Sequence, residues 1–148
     1  MEIMRVRENK RQFMDLLLQA DERESMIDRY LERGELFVLY DDESPRCVGV
    51  VTREGDDVCE LKNIAVDEKW RDHGYGSRLL HHLFEHYRGE YTTMLVGTGD
   101  APRIVQFYQR NGFTISHRVE NFFTDNYDHA MFEDGVQLVD MVYLSRTL

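Results

Sequence analysis

The sequence predicts an α/β fold, a mixed sheet with helices on both faces, on three observations. The spacing of apolar residues switches repeatedly between a period of two and one near 3.6. Three strand-like segments in the first half are joined only by short turns, whereas strands and helices alternate on either side of them. Glycines stand where the helical patterns stop: Gly34, Gly89 and Gly112.

Met1 to Arg7 alternates apolar and polar residues, as a short strand does. Lys10 to Ala20 places Phe13, Leu16, Leu17 and Ala20 at helical spacing. Ser25 to Arg33 does the same with Met26, Ile27, Tyr30 and Leu31, up to Gly34. Leu36 to Tyr40, Cys47 to Thr52 and Val58 to Val66 read as strands, separated by the turn clusters Asp41 to Pro45 and Gly55-Asp56-Asp57. Tyr75, Leu79, Leu80, Leu83, Phe84 and Tyr87 form one stripe of a helix that Gly89 stops. Tyr91 to Val96 is a strand and Pro102 to Arg110 a helix. Phe113 to Phe122 and Val136 to Leu144 are the last two strands, on either side of a polar, aromatic loop from Thr124 to Gly135.

The chain has 148 residues, with 18 Lys and Arg against 28 Asp and Glu, a net charge of −10. That length fits a single domain, 1–148, able to bury its own core. No apolar run approaches the ~20 residues of a membrane span. The start, Met1-Glu2-Ile3-Met4-Arg5, has neither a basic segment nor an apolar one to direct export. Cys47 and Cys59 make no disulfide framework and read as free thiols in a cytoplasmic protein. The acidic balance argues against a nucleic-acid partner and suits a cationic substrate.

The most informative stretch is Val66-Asp67-Glu68-Lys69-Trp70-Arg71-Asp72-His73-Gly74-Tyr75-Gly76-Ser77. A strand ends, a short loop follows, and a helix opens near Gly74. The amides of a helix's first turn, backed by its dipole, suit a phosphate or pyrophosphate. A Gly-x-Gly alone is equally a tight turn. The run lacks both the Gly-Lys-Ser/Thr of a P-loop and the third glycine of a dinucleotide fingerprint.

Arg71-x-x-Gly74-x-Gly76 after Ile64-Ala65-Val66 resembles the acetyl-coenzyme A motif of the GNAT superfamily of N-acetyltransferases. Phe107-Tyr108-Gln109-Arg110-Asn111-Gly112-Phe113 resembles that family's Phe-Tyr-x-x-x-Gly-Phe signature, in the family's order, and the element order matches over nearly the whole chain. The resemblance implies the GNAT fold, a mixed, strongly bent sheet of about seven strands with four helices. It implies acetyl-CoA as cosubstrate. The amides of Arg71, Asp72, His73, Gly74, Tyr75, Gly76 and Ser77 would wrap the pyrophosphate, and Ala65 and Val66 would pair with the pantetheine arm beside a splayed Tyr91 to Val96 strand. It implies a small-molecule or peptide amine as acceptor, no membrane partner, and a homodimer among the states to expect.

Within that resemblance Tyr108 is the general acid that protonates, or hydrogen-bonds to, the departing thiolate, and it contacts the cofactor. By periodicity alone it is a packed aromatic on the face of Ile104 and Phe107. The family often has Asn seven residues before this Tyr; here that position is Ala101. An amine with a pKa near ~10 must lose a proton before it attacks. Glu60, eleven residues before Arg71, resembles the catalytic glutamate of some members. Burial would raise its pKa, while the competing reading is a strand-edge carboxylate facing solvent. Glu120, Asp125, Asp128 and His129 are other candidates, and some members use no protein base.

His82-Leu83-Phe84-Glu85-His86 has the His-x-x-Glu-His pattern of a zinc peptidase. The apolar stripe of the same helix must face the core, so both histidines fall on its flank and no metal site is assigned. The acid-rich run from Glu120 to His129 either receives the acceptor, with Phe122, Phe123 and Tyr127 as an aromatic wall, or is a hairpin loop whose rings cover the core or a dimer contact. The sequence thus predicts an N-acetyltransferase acting by direct attack in a ternary complex, with a non-catalytic acyl-CoA sensor or regulatory module as the alternative.

Overall fold

Four antiparallel strands run in chain order through the first part of the protein: β1 (Glu2–Val6), β2 (Glu35–Asp41), β3 (Ser44–Arg53) and β4 (Val58–Val66). The computed structural model describes residues 1–148. The chain divides into two units, Met1–Thr92 with Leu148, and Thr93–Thr147. The Asp42-Glu43 turn between β2 and β3 uses left-handed backbone at both residues, as a tight two-residue hairpin requires.

Both faces of this first sheet are covered. On one face Leu36, Val38, Val48, Val50 and Ala65 pack against Phe13, Leu16, Leu17, Ile27, Tyr30 and Leu31. On the other lies the helix Tyr75–Tyr87. Its Leu79 and Leu83 come so close to Gly49 that a Cβ there would lie 3.3 and 3.6 Å from their methyl groups. Phe37, opposite Gly49 in the ladder, packs edge-on against His86 and Tyr87 of that helix. The Tyr87 hydroxyl donates to Glu35, and burial followed by that contact raises its pKa.

The first two helical stretches are shorter than the periodicity predicts. Lys10 to Ala20 becomes a 3-10 turn (Lys10–Phe13) and one turn of helix α1 (Met14–Leu17). Ser25 to Arg33 becomes helix α2 (Glu24–Ile27) followed by turns. Phe13, Leu16, Leu17, Met26, Ile27, Tyr30 and Leu31 are buried as expected, but Ala20 is exposed, because the coil has already tightened where it stands. However, Gln19, Ala20, Arg29 and Tyr30 all donate to carbonyls three residues back, so the coil tightens instead of propagating. The Lys10 ammonium caps the end of the second stretch, donating to the carbonyls of Leu31, Glu32 and Gly34.

Gly34 is required there by close approach. A Cβ would lie 2.6 Å from Val50 Cγ1 and 2.7 Å from the Tyr30 carbonyl oxygen, neither of which yields easily. Gly34→Ala is therefore expected to lower unfolding stability by about 1–3 kcal/mol, read as a shift in the urea midpoint.

In the second unit, β5 (Thr93–Gly99) pairs antiparallel with the C-terminal strand Met141–Thr147. That strand pairs on its other edge with Thr114–Val119, which becomes β6. Helix α3 is Tyr75–Tyr87 and α4 is Pro102–Arg110, both with the predicted bounds. The seven predicted strands are all present, and the α/β class holds.

Three segments differ from expectation. β5 begins at Thr93, because Tyr91 turns back to bridge Arg88 and pack under Tyr87. Phe122 leaves the predicted strand: Asn121 adopts left-handed backbone, and α5 (Phe122–Asn126) follows, a fifth helix where four were expected. The polar loop contains a hairpin, β7 (Met131–Glu133) with β8 (Val136–Leu138), closed by left-handed Asp134 and Gly135. The predicted strand 136–144 is accordingly cut at Val139-Asp140, leaving Met141–Thr147 as β9. There the Val139 carbonyl accepts from the Phe123 amide and the Asp140 carboxylate from the Asn121 amide.

Candidate active site

The expected site residues are distributed over the two units. Glu60, Ala65, Val66 and Arg71 to Ser77 belong to the first, and Tyr108 to the second.

β4 ends at Val66, the Asp67 amide donates to the Arg46 carbonyl, and a short 3-10 turn over Glu68–Trp70 is capped by the Asp67 side chain. Arg71 is extended, Asp72 is left-handed at φ 64°, and Gly74 is left-handed at φ 81°. α3 starts immediately after. Its internal ladder begins with Arg78 donating to Gly74, no side chain caps the first turn, and that turn contains no acidic residue. Arg71, Asp72, His73 and Gly74 are exposed, while Tyr75 and Gly76 are buried. Left-handed residues interspersed in a loop turn successive amides toward one side, and the helix dipole adds positive potential there. A helix start of this kind is chemically suited to an anion.

Sequence reasoning missed the groups that hold this loop. The guanidinium of buried Arg46 lies 3.6 Å from the Trp70 ring centroid, and its Nη1 donates to the Tyr75 hydroxyl at 2.8 Å. Tyr75 in turn donates to Asp41 at 2.6 Å. That bond, aided by the charge of Arg46, holds the Asp41 carboxyl below the usual range. The same bond, with burial, raises Tyr75 against the opposing pull of Arg46. The only sequence signal was the single tryptophan at position 70.

Glu60 sits opposite Thr52 in the ladder, so both point to the face covered by α1 and α2. It is 7% exposed. The solvent-facing alternative is therefore wrong for this residue. Its partner is Lys62, whose ammonium lies 2.9 Å from the carboxylate. Two residues apart on a regular strand would share a face, but here the register also shifts. Lys62 is an extra residue on β4, between the pairs Val51↔Leu61 and Val50↔Asn63. Such a bulge bends the strand and re-aims its side chains. Asn63, on the same face, donates to the Leu17 carbonyl and the Tyr30 hydroxyl. Nearby, burial pushes the Glu54 carboxyl up, but hydrogen bonds from Thr52 and Arg33 and the charge of Lys62 outweigh it and lower the pKa.

Around Tyr108 the signature motif is a helix cap. Gly112, at φ 91°, donates to the Gln109 carbonyl, and Phe113 donates to the Tyr108 carbonyl. These two bonds define a Schellman motif, with the contact between its third-last helical residue and the residue after the glycine. That contact is the Tyr108–Phe113 ring pair, centroids 5.6 Å apart. Phe107 flanks the other side at 5.2 Å. The spacing Tyr-x-x-x-Gly-Phe thus fixes the tyrosine's ring as well as ending the helix. Ala101, where the family often has Asn, is buried and places no side-chain donor at the start of α4.

The remaining candidates fall elsewhere. Glu120, Asp125, Asp128 and His129 are exposed, and His129 pairs with Asp128 at 2.7 Å. Phe123 and Tyr127 are buried and stack on each other 5.8 Å apart, so these rings pack inward and do not form an open wall. His82 and His86 are exposed on the flank of α3 and stack 6.3 Å apart, with Phe37 beneath them.

Cys47 and Cys59 are both fully buried, and burial pushes each thiol up to about 12. At pH 8 each is then a neutral thiol, unsuited to nucleophilic attack. The native protein is expected to leave a disulfide reagent such as dithiobisnitrobenzoate unreacted at pH 8. Full release of two equivalents should follow only after addition of denaturant, with Cys47 and Cys59 both counted. Rapid native labelling would contradict the burial.

Comparison with known proteins bears on these geometries. Residues 32–115 match the family described as Acetyltransferase (GNAT) domain. The chain is 34% identical over 93% of its length, and 90% of the relative's, to a Bacillus subtilis protein named uncharacterized N-acetyltransferase YvbK. A GNAT family acetyltransferase from Elizabethkingia anophelis, crystallised with acetyl-CoA bound, is 32% identical with a TM-score of 0.94. That match covers 99% of this chain and 97% of the other. A Bacillus subtilis acetyltransferase in complex with CoA is 33% identical with a TM-score of 0.91, over 99% and 98% of the two chains.

Proposed function

Because the chain belongs to the GNAT family of acetyltransferases, we propose that it moves the acetyl group of acetyl-CoA directly to a primary amine while both substrates are bound. The observation that carries the reading is the uncapped start of α3, with Asp72 and Gly74 left-handed before it. Amides from Arg71 to Ser77 receive the pyrophosphate, and main-chain groups of Ala65 and Val66 hold the pantetheine arm. The acetyl-CoA and CoA complexes of the two similar structures support acetyl-CoA as the cosubstrate.

In the chemical step the amine nitrogen attacks the thioester carbonyl and the C–S bond breaks. Glu60, directly or through water, accepts the proton the amine loses. Tyr108 donates its phenolic proton, or a hydrogen bond, to the departing sulfur. No acyl-enzyme is needed, in keeping with the neutral, buried thiols, which also suit the cytoplasm.

The net charge of −10 and the exposed Glu120, Asp125 and Asp128 favour a cationic acceptor. The test is thiol release from acetyl-CoA against polyamines, aminoglycosides, amino acids and a lysine peptide. Turnover confined to one cationic class, with the acetylated amine recovered, is expected. Thiol release without any acetylated amine would overturn the amine assignment.

A further inference from the structure

Arg46 is the extra residue of a second bulge. β2 and β3 pair Leu39↔Cys47 and then Tyr40↔Pro45, so Arg46 has no opposite number. Pro45 beside it carries no amide hydrogen and tolerates the interrupted ladder. The bulge turns a long cationic side chain inward, and Arg46 is only 7% exposed.

Its contacts fall on both sides of the four exposed residues Arg71, Asp72, His73 and Gly74. Before them, the Arg46 carbonyl holds the Asp67 amide at 2.8 Å and the guanidinium carbon lies over the Trp70 ring, 3.6 Å from its centroid. After them, Nη1 holds the Tyr75 hydroxyl, which is itself fixed to Asp41. One side chain therefore fixes both ends of a segment that depends on two left-handed residues. His73 adds to the same stack, lying parallel to the Tyr75 ring at 6.2 Å.

Stability alone is a poor reason for this arrangement. Arg46 Nε is buried without a hydrogen-bond partner, and the nearest carboxylates stand at 3.6 Å (Asp42) and 4.0 Å (Asp41). A buried cation so incompletely paired is costly to keep. A planar, always-charged group that both stacks and donates is, however, what holds an indole and a phenol in one geometry.

We propose that Arg46 is a positioning residue for the coenzyme: it touches no substrate atom, and its clamp on Trp70 and Tyr75 fixes the amides that receive the pyrophosphate. The proposal rests on the reading of Arg71 to Ser77 as the pyrophosphate cradle, and the test separates the two. Steady-state KM and kcat are measured for acetyl-CoA and for acetylpantetheine, which carries the same thioester but no pyrophosphate.

Wild type using acetyl-CoA and acetylpantetheine with equal KM would sink the cradle itself, and the proposal with it. If wild type prefers acetyl-CoA, Arg46→Met is expected to raise its KM about tenfold, with kcat changed less than about threefold and the acetylpantetheine KM unmoved. Arg46→Lys, which keeps charge but neither stacks nor donates in the same plane, should resemble Arg46→Met. A folded Arg46→Met with the wild-type acetyl-CoA KM overturns the proposal, as does a loss confined to kcat. If Arg46→Met does not melt cooperatively, Tyr75→Phe carries the test. It removes only the hydroxyl between Arg46 and Asp41 and should still raise the acetyl-CoA KM severalfold. An unchanged KM in that variant overturns the proposal equally.

Discussion

Tyr108→Phe is expected to lower kcat about a hundredfold while leaving the dissociation constant for acetyl-CoA within about threefold. Gly112 and Phe113 close the Schellman motif through main-chain bonds, and the ring pair with Phe113 uses the aromatic face, not the hydroxyl. Phenylalanine preserves each of these contacts, so α4 should end where it does now. What disappears is one phenolic proton. If that proton meets the leaving sulfur, the loss appears in the transition state alone and in kcat. A Tyr108→Phe protein with wild-type kcat would return Tyr108 to the packed aromatic that its periodicity suggests.

Gly74→Val should raise the Kd for acetyl-CoA by about tenfold to a hundredfold, the range corresponding to 1–3 kcal/mol of backbone strain. A Cβ at Gly74 would meet nothing within 4 Å, so no clash threatens the fold. The penalty lies in φ 81°, which a β-branched residue adopts only with strain. Relaxing that strain turns the amides at the start of α3 away from a common point. Gly89→Val is the matched control: Gly89 is left-handed at φ 90° with nothing within 4 Å of a Cβ, it lies outside the cradle, and the variant should bind acetyl-CoA as the wild type does. Isothermal titration of both variants reads the effect directly. Equal, wild-type affinity in Gly74→Val would mean that the cradle is not where the coenzyme's phosphates sit.

Long, strongly periodic elements were legible in the sequence: Val58–Val66, Tyr75–Tyr87 and Pro102–Arg110 have the bounds their patterns predict. Gly89 and Gly112 are left-handed where helices stop. The first two helices illustrate how burial and hydrogen bonding can part company. Phe13, Leu17, Ile27 and Leu31 are buried as their spacing requires, but the amides of Gln19, Ala20, Arg29 and Tyr30 bond to carbonyls three residues back. Apolar spacing records which side faces the core and not which carbonyl accepts. The Asp134-Gly135 hairpin carried a clear turn signal, but its flanking strands are only three residues each, too short to show a period of two.

The site was legible wherever chemistry is local to a motif. The glycine-bearing loop and the Tyr-x-x-x-Gly-Phe cap could be read because turn and cap geometry follow from a few adjacent residues. The bulges at Arg46 and Lys62 could not, since an extra residue in a strand is a property of its pairing partner. Those two bulges carry the clamp on Trp70 and Tyr75 and the cation beside Glu60. In the acid-rich segment the carboxylates are exposed while Phe123 and Tyr127 are buried and stacked, which is the core-covering reading of those rings.

The most direct test of the mechanism is a matrix of initial velocities in which acetyl-CoA and the preferred amine are varied together. Direct attack with both substrates bound predicts reciprocal plots that intersect, and no acetylated protein when the enzyme meets acetyl-CoA alone. Parallel lines, with an acetyl group recovered on the protein, would contradict it and require a nucleophile that neither buried cysteine supplies.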